Sequence, residues 1–226
     1  FELSNCIERV LKELCVGSKR FLTNKVDRSV TGLIAQQQCV GSLHTPLSNY
    51  GLISQSYFRN NENKFAGCVK AIGEQPIFGL LDIRSMVQKT VAEMLTNMMW
   101  VLIDSIEDIR CSANWMWACP NKNEEEGNLM VEAVEELSRL LINIGVAIDG
   151  GKDSLSMTVK NINGQVDAPG TLVLTGYARC PDICKKVTPN IKSVGSNLIF
   201  IDLSEGNYPL GGTVLQQSMM NISGEC

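Results

Sequence analysis

Apolar residues recur at helical spacing from Ile83 to Asp108. Met86, Val91, Met94, Leu95, Met98, Leu102 and Ile106 fall within one arc when each residue advances about 100°. The spacing predicts one long helix with that arc against a core. Asp82 or Ser85 is placed to accept from its first free N–H groups. At the margin of the arc, Glu93 and Asn97 stand four residues apart, about 40° around the helix from each other. Both side-chain oxygens can therefore reach one point above the helix, a position that invites a hard cation. The plainer alternative is a solvated face on which Lys89, four residues before Glu93, makes an ion pair.

The rest of the chain alternates shorter patterns. Ile7, Val10, Leu11 and Leu14 predict a connector helix over Phe1 to Val16, stopped by Gly17. D-R-S-V-T-G at Asp27 to Gly32 suits either a loop whose N–H groups approach an anion or an ordinary turn. Thr45 to Gln55 predicts a strand introduced by Pro46, with Asn49 near its start, and Phe65 to Ile72 a short helix ending near Gly73. Trp115 and Trp117 read as core packing before a base-stacking platform. Asn121 to Gly127 reads as an acidic loop, and Asn128 to Ile144 as a helix closed by Gly145.

Gly145 to Met157 fails the register of a nucleoside-triphosphate P-loop: Gly145 is one residue too early for Lys152, and Asp153 stands where a magnesium-binding hydroxyl belongs. It reads instead as a glycine hinge between strands Val146 to Asp149 and Leu155 to Lys160. Thr171 to Ala178 is a further strand, and Thr188-Pro189 begins a linker. Strand Asn197 to Leu203 and a helix opened by Gly211-Gly212 then look like the start of another domain.

Composition narrows the class. A chain of 226 residues, 44% hydrophobic, can bury a core as one large domain or as one domain with pieces of its neighbours. A net charge of −4 without any lysine-rich block argues against nucleic-acid binding. Nine cysteines, an odd number with no signal segment before them, point to a reducing, cytosolic setting. The C-P-D-I-C stretch at Cys180 to Cys184 has neither the redox nor the paired-zinc spacing. Apolar runs stay below the roughly 18 residues of a membrane span, so a soluble protein is expected. The only histidine, His44, lacks a nucleophile partner and reads as a surface or hydrogen-bonding residue. The chain opens without methionine and closes in mid-pattern, so a piece of a longer protein is expected.

Six stretches in order resemble one family: S-K-R-F-L-T-N-K-V-D-R-S-V-T-G from Ser18, G-E-Q-P from Gly73, V-A-E-M-L-T-N from Val91, S-A-N-W-M-W-A from Ser112, G-G-K-D-S-L-S-M from Gly150 and L-G-G-T from Leu210. They are similar to the phosphoribosylformylglycinamidine synthases of the large single-chain form. The resemblance implies an ATP-dependent ligase of purine synthesis that makes formylglycinamidine ribonucleotide from formylglycinamide ribonucleotide and glutamine-derived ammonia. It implies an α+β fold of the aminoimidazole ribonucleotide synthetase type, a mixed or antiparallel sheet with helices on one face, contributing to a central barrel. Residues 1–17 would be the connector, 18–190 the first domain of the second synthetase half, and 191–226 the start of the next domain.

In such enzymes this half carries an auxiliary ADP with magnesium. The resemblance puts Lys19 and Ser48 at the nucleotide and Asn49, Glu93 and Asn97 at the metal, with one aspartate ligand beyond Cys226 and no catalytic residue in this stretch. The family usually has aspartate where this chain has Asn49, and an amide offers an oxygen but no charge. The expected partners are a small nucleotide and the remainder of the parent chain, including its glutaminase, with neither nucleic acid nor membrane. Two alternatives remain open. One is a single-halved enzyme of the same fold, an aminoimidazole ribonucleotide or selenophosphate synthetase. The other is a nucleotide-free module that completes the barrel through Val30, Leu33 and Ile53, and whose open strand edges allow a homodimer.

Overall fold

The computed structural model describes residues 2–18, 32–39, 48–120 and 124–226. Its centre is a six-stranded sheet in the order β1-β2-β3-β8-β4-β5. The strands are β1 Ile34–Gln36, β2 Tyr50–Ser54, β3 Gly67–Glu74, β4 Arg110–Met116, β5 Ala147–Ser154 and β8 Thr171–Cys180. Every ladder is antiparallel except β4 with β5, which are parallel and joined through helix α4, Glu124–Ile144. A parallel pair cannot be closed by a tight turn, so the intervening helix is what the pairing demands. Strands β6 (Thr158–Asn161) and β7 (Gly164–Asp167) form a separate exposed hairpin.

Period-2 alternation sets the faces. Leu52, Val69, Ala71, Leu172, Leu174, Cys111, Ala113 and Trp115 point into one core, while Ile34 and Ile72 on the other face stay 37% and 52% exposed. Helix α3 (Ile83–Met98) covers the core face, burying Met86, Val87, Val91, Met94 and Met98, and α4 adds Ala133, Leu137 and Leu141. Each of the buried Val, Leu and Met side chains contributes about 2 kcal/mol of transfer free energy. Close approach of helix to sheet is made possible at Gly73, where a Cβ would lie 2.0 Å from the Thr90 carbonyl oxygen. Asp82 caps α3 as expected, its carboxylate accepting from Ser85 N–H at 2.5 Å.

Several expected elements differ. The long helix ends at Met98, and Leu102 and Ile106 are 42% and 45% exposed. There the chain turns away so that Val101 bridges Lys186, and Ser105 then caps a single 3-10 turn over Ile106–Asp108. Phe65 to Ile72 is not a helix but the start of β3, because Gly67, Val69, Ala71 and Gly73 alternate inward at strand period between β2 and β8. The glycine hinge at Gly150 to Met157 is largely strand: β5 runs unbroken to Ser154. Gly151 serves close pairing there, since a Cβ would come within 2.5 Å of the Ala113 carbonyl oxygen.

The acidic stretch from Glu124 opens α4, where three glutamates meet the positive end of the helix dipole. The strand introduced by Pro46 is β2 and begins at Tyr50. Helix α1 is shorter than expected, Leu3–Lys12, and buries none of its residues. Asn197 to Leu203 makes no ladder among the described residues, although the short helix α5, Val214–Ser218, forms with Thr213 as its cap. Pro76–Gly79, here α2, supplies one turn before Asp82.

Candidate functional site

The end of β3 turns under α3, and two side chains of the helix hold it there. Glu93 Oε2 accepts from the Glu74 backbone N–H at 2.8 Å and from Gln75 Nε2 at 2.9 Å. One turn later, Asn97 Nδ2 donates to the Ile72 carbonyl at 3.1 Å. These bonds fix both side chains and use only half of each. Glu93 Oε1 and Asn97 Oδ1 have no partner among the described residues. Both residues are half-buried.

Asn49 joins this end of the sheet from the neighbouring strand. Tyr50 pairs with Ala71, so the antiparallel ladder brings Asn49 beside Ile72, the residue that Asn97 grips. Ser48 is 6% exposed, and its hydroxyl donates to the Tyr50 carbonyl at 2.6 Å, which fixes the turn leading into β2. Ser48 and Asn49 thus enter β2 at the end where β3 leaves the sheet under Glu93 and Asn97, with Asn49 opposite Ile72, whose side chain is on the face away from α3. Lys19 lies outside the described residues, as do Val30, His44 and most of the Asp27 to Gly32 loop.

The ion-pair alternative for Glu93 fails among the described residues. Lys89 instead sits over the Phe78 ring, 4.7 Å from its centroid. A carboxylate and two amides are hard oxygen donors of the kind magnesium takes, with water and phosphate completing the shell. They fit that ion better than a soft metal. Among the described residues no group of three His, Cys, Asp or Glu side chains forms a metal cluster, and Cys180 is buried while Cys184 is exposed.

Two residues that sequence pattern did not mark belong to this region. Gln75 supplies the side-chain donor that orients Glu93. Trp100, three residues past Asn97, is 48% exposed and lines a cavity with Ser48, Asn49, Tyr50 and the Val187–Pro189 turn. The paired tryptophans are core as expected: Trp115 and Trp117 are 8% and 0% exposed with ring centroids 6.3 Å apart.

A mixed sheet whose helices pack on one face, with a carboxylate and an amide projecting where the crossing helix passes the sheet end, defines an α+β domain of the synthetase type. Solved structures agree on the fold. The structure of PurLQS from Thermotoga maritima matches with a TM-score of 0.54 at 16% identity, covering 77% of this chain and 25% of that one. T. maritima PurL complexed with ADP matches with a TM-score of 0.52 at 15% identity, covering 75% and 25%. The profile of the FGAR-AT PurM_N-like domain matches residues 18–179, and the chain belongs to that family.

Curated relatives carry the name phosphoribosylformylglycinamidine synthase. The Drosophila melanogaster protein is 48% identical over 220 residues, the human protein 46% over 218 and the Dictyostelium discoideum protein 45% over 230. These alignments cover 96%, 96% and 98% of this chain, which spans 16% of the length of each relative.

Proposed function

We propose that this chain is the first domain of the second synthetase half in an ATP-dependent ligase that makes formylglycinamidine ribonucleotide with glutamine-derived ammonia. Within it, Glu93, Asn97 and Asn49 hold magnesium, and Ser48 and Lys19 lie at a retained ADP. Residues 18–190 form that domain, 1–17 connect to it, and 191–226 begin the next. Magnesium, when bound, supplies the positive charge that offsets the diphosphate. The chain's own part is positional: Glu74 and Gln75 orient the carboxylate, Ile72 orients the Asn97 amide, and the Ser48 hydroxyl fixes the turn that presents Asn49. No reacting group of the ligase falls in this stretch. The setting consistent with this role is cytoplasmic, and no described helix is long and apolar enough to cross a membrane.

The observation that carries this reading is the half-satisfied pair: Glu93 and Asn97 are each pinned through one atom to residues 72–75, and each keeps one oxygen without a partner among the described residues. The test is to purify the full-length ligase, denature it and assay the released nucleotide and metal. About one ADP with magnesium per chain is expected from the native protein, and less than a tenth of that from Glu93→Ala. A native protein that releases neither would contradict the proposal. A second reading, the nucleotide-free barrel module, is favoured by Ile34 and Ile72 on the open face of the sheet. It expects Glu93→Ala to be silent and Ile72→Lys to disrupt assembly.

A further inference from the structure

The hairpin of β6 and β7 stands apart from the six-stranded sheet, and its two faces differ in kind. Paired residues share a face and successive ones alternate. Thr158, Lys160, Gln165 and Asp167 therefore lie on one side, and Val159 and Val166, directly opposite each other, lie on the other. The polar side is bonded within itself. Thr158 Oγ1 donates to Asp167 Oδ1 at 2.6 Å, and Gln165 Nε2 donates to the two Asp167 oxygens at 2.9 and 3.1 Å. The apolar side is uncovered: Val159 and Val166 are each 65% exposed, and Ile162 in the turn between the strands is wholly exposed.

The root of this arm is fixed. The Ala168 N–H donates to the Met157 carbonyl at 2.9 Å, and the Met157 N–H donates to the carbonyl of the buried Trp117 at 3.0 Å. A two-stranded hairpin alone in water is marginally stable, and a lone exposed aliphatic side chain is ordinary. Three of them along one arm, anchored at its root and satisfied on its polar side, make a contact face. We propose that the arm docks through Val159, Val166 and Ile162 into an apolar recess of the same polypeptide, outside these 226 residues. The chain spans 16% of the length of each relative, so most of such a protein is available as its neighbour. A second copy is disfavoured by size: three side chains fall far short of the roughly 20–30 residues a side by which separate proteins hold each other. Covalent connection makes the docking intramolecular, and a small contact then suffices. The recess presents no charge to Val159 and Val166, because a charge buried against them would go unpaired. None of this depends on magnesium or nucleotide.

The test is hydrogen exchange on the full-length ligase, read by mass spectrometry. Backbone amides over 158–167 are expected to exchange about tenfold or more slowly than in a free peptide of that sequence, since a hairpin left in water protects little. Val159→Thr combined with Val166→Thr keeps the β-branched shape and adds hydroxyls, so it spares the strands and penalises only a buried apolar contact. That pair is expected to bring exchange over 158–167 to within about twofold of the free peptide while β3 and β8 stay protected. Lys160→Thr, on the polar side, is expected to change nothing. Free-peptide rates over 158–167 in the native ligase would overturn the docked arm, and so would protection that the threonine pair leaves intact. Light scattering separates the occupants: an unchanged mass is expected, and a native dimer that the threonine pair dissociates would overturn the intramolecular recess in favour of a second copy.

Discussion

Glu136 sits in the contact between α3 and α4 with only 4% of its surface exposed, and it is ionised there because three donors hold it. Arg139 binds both carboxylate oxygens and Gln88 reaches across from α3 at 2.7 Å. The Arg139 guanidinium first, then the Gln88 amide, hold its pKa down at about 2. A folded-state pKa below the unfolded value of about 4.5 means the stabilisation is full above pH 4.5 and is lost as pH falls toward 2. Because Arg139 is more than half exposed, about 1–2 kcal/mol is a fair measure of it. Thermal melts of the chain should fall across that window, and Glu136→Gln should be less stable at neutral pH but flatter below pH 4.5.

At Gly73, alanine would put a Cβ 2.0 Å from a helix carbonyl that has no room to yield. Gly73→Ala should cost about 2 kcal/mol or more in denaturant unfolding. At this scale Glu93 and Asn97 were readable because spacing along one helix fixes their relation. Gln75 was not, since it reaches Glu93 only through a contact between separate elements.

Among elements, local signals succeeded where a single chemical rule decides. Asp82 caps α3 because a carboxylate there meets a free N–H. Asp82→Ala should therefore lower stability by about 1 kcal/mol, measurable by urea unfolding. They failed where the sheet decides. Phe65 to Ile72 carries apolar residues at spacings compatible with either period, and only pairing with β2 and β8 selects strand β3. The glycines of β5 suggested a hinge because their reason, passage close to the Ala113 carbonyl, lies in another strand. Leu102 and Ile106 continue the helical arc past Met98, where α3 ends. Tertiary bridging of Val101 to Lys186 outweighs that periodicity.

At the level of the whole molecule, the fold class was legible and the surroundings are visible only as unfinished surface. One face of the sheet carries partly exposed Ile34 and Ile72, β5 is an edge along its full length, and α1 keeps its apolar side in solvent. Open edges of this kind invite pairing. The 226-residue chain on its own should self-associate, and Ile72→Lys should shift it toward monomer in size exclusion with light scattering. A chain monomeric at all concentrations would contradict a barrel-forming face.

We propose above that an acidic and an amide oxygen on α3, together with Asn49, hold magnesium under a diphosphate. Calorimetric titration of magnesium–ADP into the nucleotide-stripped full-length ligase tests it directly, comparing the native protein with Asn49→Asp and Glu93→Ala. The account predicts about tenfold tighter binding when a carboxylate replaces the Asn49 amide, and more than tenfold weaker binding when the Glu93 carboxylate is removed. Identical isotherms for all three proteins would contradict it.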